Sequence, residues 1–344
     1  MKALALGLAL MASGPAYTLA QDKEPNTPST QSSPFSQAKF VPDISLILDC
    51  SYDARNTSDE EFEALAMPGL SDAHQDMHAQ NGFNLNYAEI TFYSVVDPYF
   101  EVFAVCHLAE EHFHLEEAYS LTRRFPAGFQ LKIGKFFSSF GRINEQHAHY
   151  WDFADAPLIS RVMFGGEGLN EVGARVTWVS PLDIYLMVGG EVLQGKNEAS
   201  FGTGGFEDPL GSVTISSAAM PALFVGYLRS SVDIDDASVL FGVSAGHGRR
   251  QVDEGLSIGD PGGRAFAGTT TVLACDLTIK YLLDAIRYVS FQSEYIWRSS
   301  SGTLYAQSPG LPLSEQGATT RRSGAYAQST AKLDLRWRAG IRCD

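Results

Sequence analysis

Residues 273–298 read LACDLTIKYLLDAIRYVSFQSEYIWR, and this stretch decides the fold. Leu273, Cys275, Leu277, Ile279 and Tyr281 alternate with Ala274, Asp276, Thr278 and Lys280. After a break at Leu283–Ala285, Val289, Phe291, Tyr295 and Trp297 alternate with Ser290, Gln292, Glu294 and Arg298. Successive side chains of a strand point to opposite faces, so a period of two marks a strand with one apolar and one polar face. Two such strands across a short break form a hairpin.

The same pattern recurs along the chain. Ile44, Leu46, Leu48, Cys50 and Tyr52 oppose Ser45, Asp49, Ser51 and Asp53, with Ile47 out of phase. Trp337, Ala339, Ile341 and Cys343 oppose Arg336, Arg338, Arg342 and Asp344. In Phe83–Val95 the parity switches near Tyr87–Ala88, which points to a β-bulge. Phe100–Leu108 is apolar on both faces. About thirteen strands emerge in all.

The connections alternate in length. Short ones fall at Asp97-Pro98, Pro126–Gly128, Ser180-Pro181, Asp233–Ala237, Leu283–Ala285 and Asp334-Leu335. Long ones fall at Arg55–Asn81, Phe137–Gly168, Gln194–Pro221, Gly248–Gly268 and Ser299–Arg321, with a short exception at Ala109–His112. Short turns at one end and long loops at the other describe an all-β, antiparallel transmembrane up-and-down β-barrel of an outer membrane. A secreted soluble β-sandwich also alternates, but nothing in it requires long loops at one end only. Thirteen is odd, whereas bacterial single-chain barrels have even strand numbers. The expectation is a barrel that is incomplete at its C-terminus by about three or more strands, with a miscount by one strand as the alternative.

The chain has 344 residues, 44% hydrophobic and 19% charged, with 40 acidic against 25 basic residues and a net charge of −15. That balance excludes a nucleic-acid partner, which needs a basic face. Beyond the N-terminus no apolar run approaches the ~20 residues of a spanning helix. Residues 1–20 read as a signal peptide: Met1-Lys2, an apolar run Ala3–Ala12, and cleavage after Ala16 or Ala20. Residues 21–39, rich in Pro, Ser, Thr and Gln, read as a disordered periplasmic linker, leaving 40–344 as the barrel. Cys50, Cys106, Cys275 and Cys343 have no CxxC spacing and read as isolated apolar residues. No GxSxG motif or nucleophile–base spacing points to an enzyme.

Seven of the eight histidines lie between His74 and His149. His74 and His78 stand with Asp72 and Asp76; His112 and His114 are flanked by Glu110, Glu111, Glu116 and Glu117; His147 and His149 lie in the third long connection. In the barrel topology all three pairs fall at the external end. Imidazole with carboxylate suits zinc and similar divalent ions, held as a ligand rather than as a resident cofactor. Solvated polar loops carry the same residues, and the spacing is not a closed-site motif, so both readings stay open. The connection Phe137–Gly168 is long enough to fold into the lumen as a constriction carrying Arg142, Glu145, Asp152, Asp155 and Arg161. Lys280, Glu294 and Arg298 face the same lumen from the wall.

Gly82–Glu89, Asp97–Glu101, Gly134–Phe153 and Glu167–Gly173 resemble a porin-like outer-membrane family whose members are commonly labelled zinc-regulated TonB-dependent outer-membrane receptors. The resemblance spans about Phe40 to Asp344, and His147–Phe153 is its most specific part. The family also tends to carry a His-rich first loop, which Asp72–His78 matches in shortened form. The label implies energised metal uptake. True receptors of that kind pair a plug with a barrel of about 22 strands. Only a short linker precedes the first strand here, so passive porin-like diffusion is the expected activity and the receptor is the alternative. Partners would be outer-membrane lipid, small solutes or metal ions, and further copies in a homo-oligomer.

Overall fold

A computed structural model describes residues 42–63, 80–109, 113–123, 125–208, 210–211, 213–256, 263–308 and 311–344. The expected signal peptide and linker lie outside the described residues.

Thirteen strands form one antiparallel meander: β1 (Asp43–Asp53), β2 (Gly82–Val95), β3 (Phe100–Leu108), β4 (Phe113–Thr122), β5 (Phe129–Phe137), β6 (Asn170–Val179), β7 (Tyr185–Leu193), β8 (Leu223–Ile234), β9 (Ala237–Glu254), β10 (Arg264–Leu282), β11 (Tyr288–Ser308), β12 (Leu311–Lys332) and β13 (Arg338–Cys343). Each pairs with its chain neighbours. A two-residue strand at Gly202–Thr203 adds to β9 in parallel. In the described sheet β1 bonds only β2 and β13 only β12, so the barrel wall is not closed.

Outward positions carry the apolar alternation. Ile44, Leu46 and Leu48 are each more than 60% exposed, and Ile133, Val176, Phe224, Phe241, Leu273, Tyr295 and Ile341 continue the band around the sheet. Each such side chain left in water forgoes about 1.5–3 kcal/mol. The hairpin of residues 273–298 forms as its alternation requires, with Asp276, Glu294 and Arg298 buried on the inner face.

Three short turns share one device. Val96 N–H bonds Phe100 O, Leu283 N–H bonds Arg287 O, and Leu333 N–H bonds Trp337 O. In each turn the second residue is an aspartate, and Asp97, Asp284 and Asp334 accept two backbone N–H groups through Oδ1. This is the local competition that favours Asp in turns. The N–H groups of Arg287 and Ile286 hold the Asp284 carboxyl down at about 2.

Two expected loops are shorter than the sequence implied. Gly248–Gly268 and Ser299–Arg321 are mostly strand: β9 runs to Glu254, β10 starts at Arg264, β11 ends at Ser308 and β12 starts at Leu311. The β11 extension, Ser299–Ser308, is rich in Ser, the β9 extension, Gly248–Glu254, is mostly charged and polar, and neither carries apolar alternation. Backbone pairing alone continues the ladder there, so side-chain periodicity was blind to it. The strands β9–β12 reach 18 to 22 residues, well beyond the ~10 that a spanning strand needs.

The expected bulge is present. Asp49 pairs with Tyr87 and Cys50 with Leu85, leaving Asn86 as the extra residue.

The segment between β5 and β6 packs against the inner face. It carries α1 (Leu158–Phe164), counted here as the first helix that bears on the site. With the segment between β7 and β8 it builds an apolar core inside the wall: Phe136, Phe140, Met163, Phe164, Phe201 and Tyr326 are all buried there. The lumen is therefore not uniformly polar, because inserted backbone needs an apolar floor of its own.

Asp152 and Asp155 tie this segment to β13 through Arg338 (2.6 Å) and Arg342 (2.8 Å). Gly141 sits at φ +68°, and a Cβ there would run into the Glu294 carboxylate. Gly141→Ala is expected to destabilise the fold by about 2 kcal/mol through strain and collision. A lowered midpoint in heat-modifiable gel migration would register it; an unchanged midpoint would show that the segment does not seat on β11.

Candidate functional site

On the inner face of β2–β4, three carboxylates and three imidazoles converge, two of the imidazoles coming from the inserted segment. Glu89 projects from β2, His107 from β3, Glu116 and Glu117 from β4, and His147 and His149 from the inserted segment. A bulge makes this possible. Val105 pairs with Glu117 and Cys106 with Leu115, so Glu116 is the extra residue. The parity flip turns two consecutive carboxylates to the same face.

The contacts are short. His147 Nδ1 lies 2.9 Å from Glu116 Oε2, and its Nε2 lies 2.8 Å from Glu117 Oε2. His107 Nε2 lies 3.1 Å from Glu116 Oε2 and 3.3 Å from Glu89 Oε2. His149 Nδ1 lies 3.2 Å from the same Glu89 oxygen. Backbone N–H of Phe137 fixes Glu117 by donating to Oε1 at 3.1 Å. Burial pushes the His147 imidazole down, but Glu116 and Glu117 outweigh it and raise it to about 10.

One atom each from Glu89, Glu116 and His147 lies within 4.8 Å of the others. Three buried atoms in the cluster, Glu116 Oε2, His147 Nδ1 and His149 Nδ1, have no hydrogen bond of acceptable geometry. Buried polar atoms are normally hydrogen-bonded, whereas these three are held by ion-pair contacts of 2.9–3.2 Å without hydrogen-bond alignment. Ligands at about 2.0–2.2 Å from a tetrahedral ion stand about 3.3–3.6 Å apart. The observed separations of 2.9–3.9 Å bracket that edge. Mixed nitrogen and oxygen donors suit zinc and similar transition ions better than calcium or magnesium.

Beside this cluster lies a second network that holds the segment in place. Glu145 receives Arg175 Nη1 at 2.6 Å on one oxygen and Arg229 Nη1 at 2.7 Å on the other, and Ser139 Oγ also donates to it. Arg229 Nη2 donates to the carbonyls of Ser139 and Gly141. Burial pushes the Glu145 carboxyl up, but Arg175 and Arg229 outweigh it and hold it near 2.

Of the residues nominated by sequence, His147 and His149 enter the cluster. His114 does not: it sits 3.5 Å from Lys135 Nζ and 3.9 Å from Glu167. Asp72, His74, Asp76, His78 and His112 lie outside the described residues. Among the nominated lumenal charges, Glu145, Asp152 and Arg298 tie the inserted segments to the wall, Glu294 accepts from the backbone N–H groups of Arg142 and Ile143, and Lys280 stacks over Tyr288. Glu89 and His107 were missed. The available signal was polarity inside apolar strands, at positions whose parity matches an inner face.

No family model matches the chain. An uncharacterized protein of Aquifex aeolicus (strain VF5) is 46% identical over 319 residues, which cover 90% of this chain. The match spans 66% of that relative's length, just under two-thirds. Among solved structures, the chain is similar to OmpT (in-vitro folded), an outer membrane protein of Vibrio cholerae, with a TM-score of 0.37 and 10% identity over 74% of this chain and 77% of that one. Neither description mentions zinc or TonB.

Proposed function

We propose that this protein is an outer-membrane, porin-like barrel for small solutes whose inserted segment carries a transition-metal site of the zinc class. The observation that carries the membrane reading is the outward apolar band from β1 to β13 around a charged and hydrogen-bonded interior. A soluble sheet would bury such a face. The band with tight turns at one end is the arrangement of a barrel in lipid. The metal site would form where the inserted segment meets β2–β4, with His107 next to the end of β3.

Full-length protein inserted into planar bilayers is expected to give steady conductance steps that zinc reduces and calcium does not. Recovery of the protein in the soluble periplasmic fraction, without heat-modifiable migration, would overturn the membrane reading. Insertion with zinc binding but no steady current would favour a metal-binding receptor over a channel.

A further inference from the structure

We propose that Arg250, Arg298 and Arg322 form an oxyanion subsite on the inner wall of β9–β12, on the side away from the histidine cluster. Arg298 on β11 and Arg322 on β12 are direct register partners. Both occupy inward parity: Arg298 is buried, and Arg322 alternates in phase with Tyr326, Gln328 and Thr330. Arg250 on β9 reaches the same space, since it and Arg298 donate to one carbonyl, that of Ala199. Like charges placed directly opposite across a ladder destabilise it. Three guanidiniums facing one space therefore call for a compensating negative charge.

The protein supplies little of it. Arg250 reaches one carboxylate, Glu254, at 3.9 Å, and that side chain is mostly exposed. Arg298 bonds only neutral groups: Nη1 donates to Ala199 O at 2.5 Å and to Ser200 Oγ at 2.8 Å. Arg250 Nη1 shares that Ala199 carbonyl at 2.9 Å and also meets Glu198 O at 3.2 Å. These bonds use one nitrogen of each fork and fix its orientation against the segment between β7 and β8. Each guanidinium carries five N–H donors, so both keep donors to spare. Arg322 is exposed and has no hydrogen bond or ion pair among the described residues.

Two oriented forks beside one free fork match the oxygens of a phosphate-type anion, which arginine binds bidentately. Rings of arginine select anions in pores in the same way. Arg322 stands ten residues along β12 from its end at Lys332. At about 3.3 Å per residue and a tilt of about 40°, that is about 25 Å from the short turns. The subsite thus lies toward the long-loop mouth, and it does not depend on the metal reading.

The test is calorimetric titration of the purified full chain in detergent with inorganic phosphate at low ionic strength, in a chloride background. Saturable binding is expected, weakened about tenfold or more in Arg322→Gln. Arg321→Gln removes the same charge from the next residue, on the opposite face, and is expected to bind phosphate as the unaltered protein does. Heat-modifiable migration checks that both variants fold. Absence of phosphate binding by the unaltered protein, or equal weakening in the two variants, would overturn the subsite.

Discussion

Glu145→Ala is expected to lower the stability of the folded barrel by about 3 kcal/mol, the loss typical when one partner leaves a buried ion network. The carboxylate bridges two guanidiniums, Arg175 and Arg229, that are each about 10% exposed. Its removal leaves two charges facing each other with Glu191, 3.7 Å from Arg175, as the nearest acid. Replacing Glu145, Arg175 and Arg229 together with apolar residues of similar volume should cost less than the single change, because no facing guanidiniums remain and Glu191 keeps its hydrogen bonds from Ser138 and Ser139. The effect also carries a pH signature. The folded carboxyl is held near 2, below the ~4.3 of an unperturbed Glu. The stability it contributes is complete above the unfolded value and is lost as pH falls through the folded one. Thermal midpoints of the unaltered protein should therefore drop between about pH 4 and pH 2 more steeply than those of Glu145→Ala. Coincident melting of the two proteins at neutral pH would show that the network is not holding the segment.

The parts of the fold that lipid dictates were legible in the sequence. An outward position in the apolar band admits few polar residues, so Leu273, Cys275, Leu277 and Tyr281 announce their face by composition. The turns were legible because Asp97, Asp284 and Asp334 bond their own backbone. The bulge at Asn86 left a parity switch nearby. Beyond the apolar band the signal failed: the polar ends of β11 and β12 pair, from Ser299 with Arg321 to Ala306 with Ser314, without apolar alternation.

The site was legible only on its loop side. His147 and His149 stood out because two histidines and an acidic residue fall within a few positions of each other. Their partners lie on three other strands and meet them only after the segment folds inward. Glu89 is 58 residues before His147 in the chain, and nothing local to it signals a partner. Glu116 and Glu117 read as an ordinary acidic flank, since alternation would send them to opposite faces. The bulge at Glu116 removes that alternation, and its parity signal is hidden by having only Leu115 and Ala118 as apolar neighbours.

The largest loss is expected at His147. Changing it to Ala should weaken zinc binding about 100-fold or more, because this imidazole is the link between the inserted segment and the wall carboxylates. Its buried Nδ1 has no aligned hydrogen bond, and Glu117 bonded to Nε2 orients the ring toward Glu116 and Glu89. Such a carboxylate–imidazole pair fixes the tautomer and strengthens the ligand. Binding must displace the proton that Glu116 and Glu117 hold on His147, so zinc uptake should release about one proton at neutral pH and tighten as pH rises. Titration calorimetry in two buffers of different ionisation enthalpy measures that release. His114→Ala is the control: its ring faces Lys135 and Glu167, so binding should stay within about twofold of the unaltered value. Glu89→Gln should weaken binding without abolishing it, since a neutral amide still offers an oxygen at the same place. Equal zinc affinity in the unaltered protein and His147→Ala, or calcium bound as tightly as zinc, would remove the metal site and leave the cluster as an anchor for the inserted segment.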